Sequence, residues 1–141
     1  MTTTPTTLNA GEMRLELVNI PVTDIDRARD FYVQQCGWTL ITDHVQMDDM
    51  RIVQIVPPGS HCGILIGRNI PDITDMTPGS QRGLHLVVPD VTAARDKLAG
   101  SGVAMGEIQD MGGVLYSGFE DPDGNMWLLQ QWPHGGTHDY S

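Results

Sequence analysis

The sequence predicts an α+β protein assembled from two tandem β-α-β-β-β modules. Two recurrences and the chain length carry this prediction. VTDIDRARD at residues 22–30 returns as VPDVTAARD at residues 88–96, an offset of 66 (90 − 24 for the shared aspartate), and both copies read V-x-D-[IV]-x-x-A-R-D. Further on, PGSHCGILI at 58–66 corresponds to PDGNMWLLQ at 122–130, an offset of 64 (122 − 58). A supersecondary unit repeated at a fixed period sets an architecture before any single element is read. With 141 residues one domain buries roughly two thirds of the surface its unfolded chain exposes, so no disulfide or metal staple is required.

Residues 1–12, dominated by Thr, Pro and Gly, are expected to be a disordered tail. Residues 15–22 and 83–88 are short apolar strands, after which the spacing shifts from period two to helical. Asp24 and Asp90 stand at the change, where a carboxylate accepts from the free N–H groups of a first helical turn and meets the helix dipole. Ala28, Phe31 and Tyr32 form the buried stripe of the first helix, Ala94 and Leu98 that of the second. The helices end at Gly37 and near Gly100 or Gly102.

Residues 43–49 read as a hairpin carrying a surface His44. Residues 51–56 and 114–119 are β-rich runs that, with the strands after Pro58 and Pro122, complete a three-stranded meander behind each helix. Asp121, Pro122, Asp123 and Gly124 supply what a tight turn needs, Pro fixing φ and Gly taking a positive φ. Pro71, Pro78 and Gly79 make 67–82 a crossing loop. Module one is thus 13–66 and module two 83–132; residues 133–141, with His134 and His138, form a second flexible tail.

Eight Lys and Arg against 18 Asp and Glu give a net charge of −10, which removes the phosphate-neutralising cations that nucleic-acid binding requires and disfavours an anionic membrane surface. Cys36 and Cys62 lie in no CxxC or zinc spacing and are expected as reduced thiols. The chain shows no export signal and no run of 18 apolar residues, so a cytoplasmic location is expected. GxGxxG after a strand, GxxxxGK[ST], GxSxG and HExxH are absent, leaving nucleotide cofactors, serine hydrolysis and zinc proteolysis unsupported.

Taken together, the first strand, Phe31 and Tyr32, the second-copy strand and FEDPDGNMWLLQ near the C-terminus resemble the vicinal oxygen chelate superfamily over about residues 13–132. This is the glyoxalase, bleomycin-resistance and extradiol-dioxygenase group. The resemblance implies curled mixed sheets around a cup-shaped cleft, and commonly a homodimer. In metal-using members four strands each point a His, Glu or Gln into the cup. By the resemblance those positions fall here on Leu17, Ile64, Gly83 and Leu128, none of which can bind a metal through its side chain. A register shifted by one gives Val18, Leu65, Leu84 and Leu129, again without donors. Neither a metal nor a cofactor is therefore expected.

Because side chains alternate along a strand, Asn19, Ile66, His85 and Gln130, two steps further on, are expected to face the same cavity. His85 either orients a ligand and carries a proton, or is satisfied by a neighbouring backbone group. Asn19 and Gln130 either orient a ligand oxygen or tie strands together. Tyr116 is a candidate cleft residue whose facing the sequence leaves open, and a catalytic His85 needs it or a carboxylate within hydrogen-bond reach; Trp127 is expected under a helix, and Trp38 and Trp132 are candidate cleft walls. Met47, Met50, Met105, Met111 and Met126 are either core or adaptable cleft surface.

Three functions compete on these residues. The leading one is metal-free binding of an apolar or aromatic, oxygen-bearing small molecule, as in antibiotic sequestration. The second is a metal-independent isomerase, cyclase or lyase acting on a carbonyl compound through His85. The third, a metal-dependent glyoxalase or dioxygenase, is disfavoured by the aliphatic ligand positions.

Overall fold

Each recurring segment folds as β-α-β-β-β. The computed structural model describes residues 5–138, and the chain divides into two units, Met1–Pro78 and Gly79–Ser141. Each unit holds one four-stranded mixed sheet, with strands in the order 17–19, 63–68, 50–56, 39–46 in the first and 84–87, 126–131, 114–120, 109–111 in the second, as an α+β protein requires. The expected tails fall partly outside the described residues.

In the first unit β1 (Leu17–Asn19) leads to α1 (Ile25–Asp30), whose N–H of Arg27 donates to Asp24 Oδ1 at 3.0 Å. Residues Phe31–Gln35 continue as a π-helical turn, closed by Cys36 N–H on Phe31 O at 3.0 Å and ended by Gly37 at φ +77°. The wider turn seats Phe31 and Tyr32 in the core, where Trp38 stacks on Tyr32 at 5.0 Å. Trp38 is therefore core rather than cleft wall. Next come β2 (Thr39–Gln46), a tight reversal over Met47–Asp49, β3 (Met50–Val56) and β4 (Gly63–Arg68). The hairpin expected around 43–49 is thus present.

The registers define two faces. Val53 pairs with Ile66 and Ile55 with Ile64, all four nearly inaccessible, on the face that α1 covers. Each such aliphatic side chain contributes about 1.5–3 kcal/mol by leaving water. An ion-pair cluster clips α1 to the hairpin at the edge of this core: Arg51 and Arg29 both bind Asp43, and Arg51 also binds Asp26.

In the second unit β5 (Leu84–Val87) precedes α2 (Val91–Gly100), where Ala93 N–H donates to Asp90 Oδ1 at 3.1 Å and Val91 N–H to Gln131 Oε1 at 2.8 Å. Strands β6 (Gln109–Met111), β7 (Val114–Glu120) and β8 (Met126–Gln131) follow. Under α2 lie Phe119 and Trp127, stacked at 6.4 Å, together with Leu129. In the turn before β8, Asp121 Oδ1 accepts from Asp123 N and Asn125 N, each at 2.9 Å. The Asp121 carboxylate, which also accepts from Asn125 Nδ2 at 2.8 Å, thus serves the turn its sequence indicates. Cys36 and Cys62 are free thiols. No helix among the described residues is long and apolar enough to cross a membrane.

Candidate functional site

On the first sheet Leu17 pairs with Gly63, Val18 with Ile64 and Asn19 with Leu65. Paired residues share a face, so Leu17, Asn19, Gly63, Leu65 and, through the Gln54–Leu65 pair, Gln54 lie opposite the α1-covered core. This corrects the expected set. Ile64 and Ile66, at 2% and 0% exposure, lie on the other face, in the core. The repeat explains the slip. Val18–Ile64 and Leu84–Trp127 are equivalent pairs, giving an offset of 63 (127 − 64) on the last strand, not 64. The first unit has six residues between β3 and β4, and the second has five between β7 and β8.

A cavity of about 670 Å³ opens on this face of the first unit, within the range of small-molecule sites. Leu17, Ile41, Val56 and Gly63 line it with apolar surface; Gln54, Ser60, Arg14, Glu16 and His61 add polar groups. Two backbone features shape it. A bulge between Leu40 and Thr42 leaves Ile41 as the extra residue, turning its side chain toward the cavity. At Gly63 a Cβ would stand 2.8 Å from the Ile55 carbonyl oxygen, so the close strand approach requires glycine. Asn19 is committed elsewhere: its Nδ2 donates to Ile73 O at 2.5 Å and contacts Met76 Sδ at 3.2 Å. It ties β1 to the segment at Ile73 and Met76, which is not a strand.

On the second sheet His85 pairs with Leu128, and Gln130 with both Val87 and Tyr116. His85, Tyr116, Leu128 and Gln130 consequently share the face away from α2. Gln130 Nε2 donates to Tyr116 Oη at 3.0 Å, and the rings of His85 and Tyr116 meet edge to face at 6.1 Å. Gly83, at φ +74° in the left-handed region, presents its carbonyl to His85 Nδ1 at 2.6 Å. A carbonyl only accepts, so the proton sits on Nδ1 and Nε2 is the basic nitrogen of the neutral ring. His85 is thus satisfied by a backbone group, while its ring remains exposed.

These side chains do not fit a divalent ion. Leu17 and Leu65 in the first unit, and Gly83 and Leu128 in the second, offer neither imidazole nor oxygen, so neither unit brings a donor at these positions to replace an ion's lost water. Among the described residues no three His, Cys, Asp or Glu come together in a ligating group. Burial, then Glu16, push the Cys62 thiol above its ordinary pKa, which keeps it a poor nucleophile.

Sequence reasoning passed over Ile41 and Gln54, and reached Leu65 only through the register shifted by one. Gln54 had a visible signal, a lone amide inside the apolar run RIVQIV. The bulge at Ile41 had none.

The sequence model of the Glyoxalase/Bleomycin resistance protein/Dioxygenase superfamily matches residues 14–129. An uncharacterized protein of Shewanella frigidimarina is 34% identical over 84% of this chain and 95% of its own. Among solved structures, TnmS3, an antibiotic binding protein from Streptomyces sp. CB03234, is 32% identical with a TM-score of 0.75, over 87% of this chain and 98% of that one. A glyoxalase/bleomycin resistance protein from the same organism is 34% identical with a TM-score of 0.71, over 84% and 100%.

Proposed function

Because the chain belongs to the glyoxalase/bleomycin resistance protein/dioxygenase superfamily, we propose that it binds an apolar or aromatic, oxygen-bearing small molecule without a metal, sequestering it as an antibiotic-binding protein does. One observation carries the reading: at the strand positions that in metal-using relatives hold ligands, this chain presents aliphatic groups and glycine beside neutral amides and hydroxyls. In the first unit Leu17 and Leu65 supply apolar contact and Gln54 supplies orientation; on the second unit's own open face Leu128, Gln130 and Tyr116 offer the same pairing of groups. The similarity to TnmS3, which binds an antibiotic, supports the same class of ligand. A cytoplasmic homodimer completes the proposal.

The test is a thermal-shift panel of aromatic antibiotics, bleomycin, quinones and small carbonyl compounds, with metal content measured on the same sample. A ligand at 100 times its Kd stabilises the folded chain by about 2.7 kcal/mol. The expected result is a metal-free sample stabilised by a ligand that is recovered unchanged. Stoichiometric metal required for binding would overturn the reading.

The basic Nε2 of His85 beside Tyr116 favours one second reading, a metal-independent enzyme acting on a carbonyl compound. A base needs an orienting partner, and the His85 ring is held by the Gly83 carbonyl rather than by a carboxylate. Turnover of a panel compound that His85→Ala abolishes would select this reading over sequestration.

A further inference from the structure

We infer that residues 5–8 form one wall of the ligand site, so that the chain ahead of β1 selects flat, uncharged aromatic carbonyl compounds; this rests on the binding reading above. Pro5, Thr6 and Leu8 line the same cavity as Leu17, Gln54 and Gly63. A reversal at residues 9–12 carries them there. Glu12 N–H donates to Asn9 O at 3.1 Å, Asn9 N–H donates to Glu12 Oε1 at 2.6 Å, and Gly11 takes φ +85°. Arg14 Nη2 then lies 3.5 Å from Glu12 Oε2, so one carboxylate ties the returning segment to the approach of β1. Pro5 and Leu8 add apolar surface to that of Leu17, Ile41 and Val56 in the same cavity. Leu8 is still 44% exposed, and a guest in the cavity would cover it. Apolar contact from both the segment and the strands suits a flat aromatic guest, and the polar groups between them suit its oxygens. Arg14 is paired with Glu12, so Glu16 remains as the unbalanced charge beside the cavity and favours an uncharged guest over an anionic one.

The probe is 3-hydroxyflavone, an uncharged aromatic ketone whose two emission bands report whether water reaches its internal hydroxyl–carbonyl hydrogen bond. The full chain is expected to bind it and raise the water-excluded band. Leu8→Ser should weaken binding roughly fivefold and move emission toward the hydrated band, by loss of apolar contact. Glu12→Ala should do the same by releasing the reversal, whereas Glu12→Gln, which keeps the acceptor, should retain most of the affinity. Urea midpoints of all three variants should match the parent, separating wall loss from unfolding. If Leu17→Lys abolishes binding while Leu8→Ser and Glu12→Ala behave as the parent in both affinity and band ratio, the wall is refuted and the binding reading stands. If the full chain does not bind the probe at all, the assigned ligand class fails; should the wider panel also fail to stabilise the chain, the binding reading fails with it.

Discussion

At Asp43 three guanidinium hydrogen bonds converge on one carboxylate: Arg51 Nε at 3.0 Å, Arg51 Nη2 at 2.9 Å and Arg29 Nη1 at 2.8 Å. The Arg51 hydrogen bonds, aided by Arg29, hold its pKa down at about 2. A carboxylate whose folded pKa is depressed stabilises the fold above its unfolded pKa of about 3.9 and loses that contribution as pH falls through the folded value. The side chain is 19% exposed, so solvent screening is partial and the contribution at neutral pH is about 2 kcal/mol. Asp43→Asn should therefore lower stability at pH 7 by about that amount and flatten the pH dependence between pH 4 and 2. Urea titrations of parent and variant across that window check it; parallel curves would show that the cluster is not coupled to folding. The cluster lies on the α1 side, so ligand affinity at pH 7 should be spared.

At the scale of elements, β4 turns Ile64 and Ile66 to the core and Leu65 to the open face. One substitution at each of two adjacent residues checks this. Ile64→Gln places an amide in a core position only 2% exposed and should cost about 3 kcal/mol or more through lost packing and an unmet polar group. Leu65→Gln, on the open face, should cost under about 1 kcal/mol yet weaken ligand binding. The reverse pattern in urea melts would restore the register expected from the 64-residue repeat. What was legible here was local. Asp24 and Asp90 announce their caps, Trp127 its helix-facing parity, and residues 121–124 their turn, because each signal lies within a few residues of its structural consequence. The shared face of His85, Leu128 and Gln130 was legible through alternation on single strands. What escaped needed knowledge of a partner strand. The place of Ile64 depends on a loop one residue longer than its counterpart, Ile41 on a bulge, and β6 on three exposed residues, QDM, that carry no apolar pattern. The role of Asn19 depended on the segment at Ile73 and Met76, 54 and 57 residues away.

Across the whole molecule, the strongest functional constraint is a pattern of omission at matched positions in both units. Leu17 and Gly83 are equivalents at the 66-residue offset, and Leu65 and Leu128 are equivalents at 63 (128 − 65). Had one unit kept a His or Glu, a weakened metal site would be the natural reading. Both units instead place aliphatic groups or glycine there, and the acidic side chains behind the charge of −10 do not gather into a ligating group among the described residues. The chain should accordingly be indifferent to metals. Dialysis against EDTA should leave both the melting temperature and the affinity for 3-hydroxyflavone unchanged, and one equivalent of Zn²⁺, Ni²⁺ or Mn²⁺ should raise neither. Binding of a metal to the folded state alone, at 100 times its Kd, would stabilise the chain by about 2.7 kcal/mol, a shift that calorimetry resolves readily. A stoichiometric metal whose removal lowers the melting temperature would mean that donors come from elsewhere in the chain than Leu17, Leu65, Gly83 and Leu128. The proposal of an aliphatic ligand floor would then have to be abandoned.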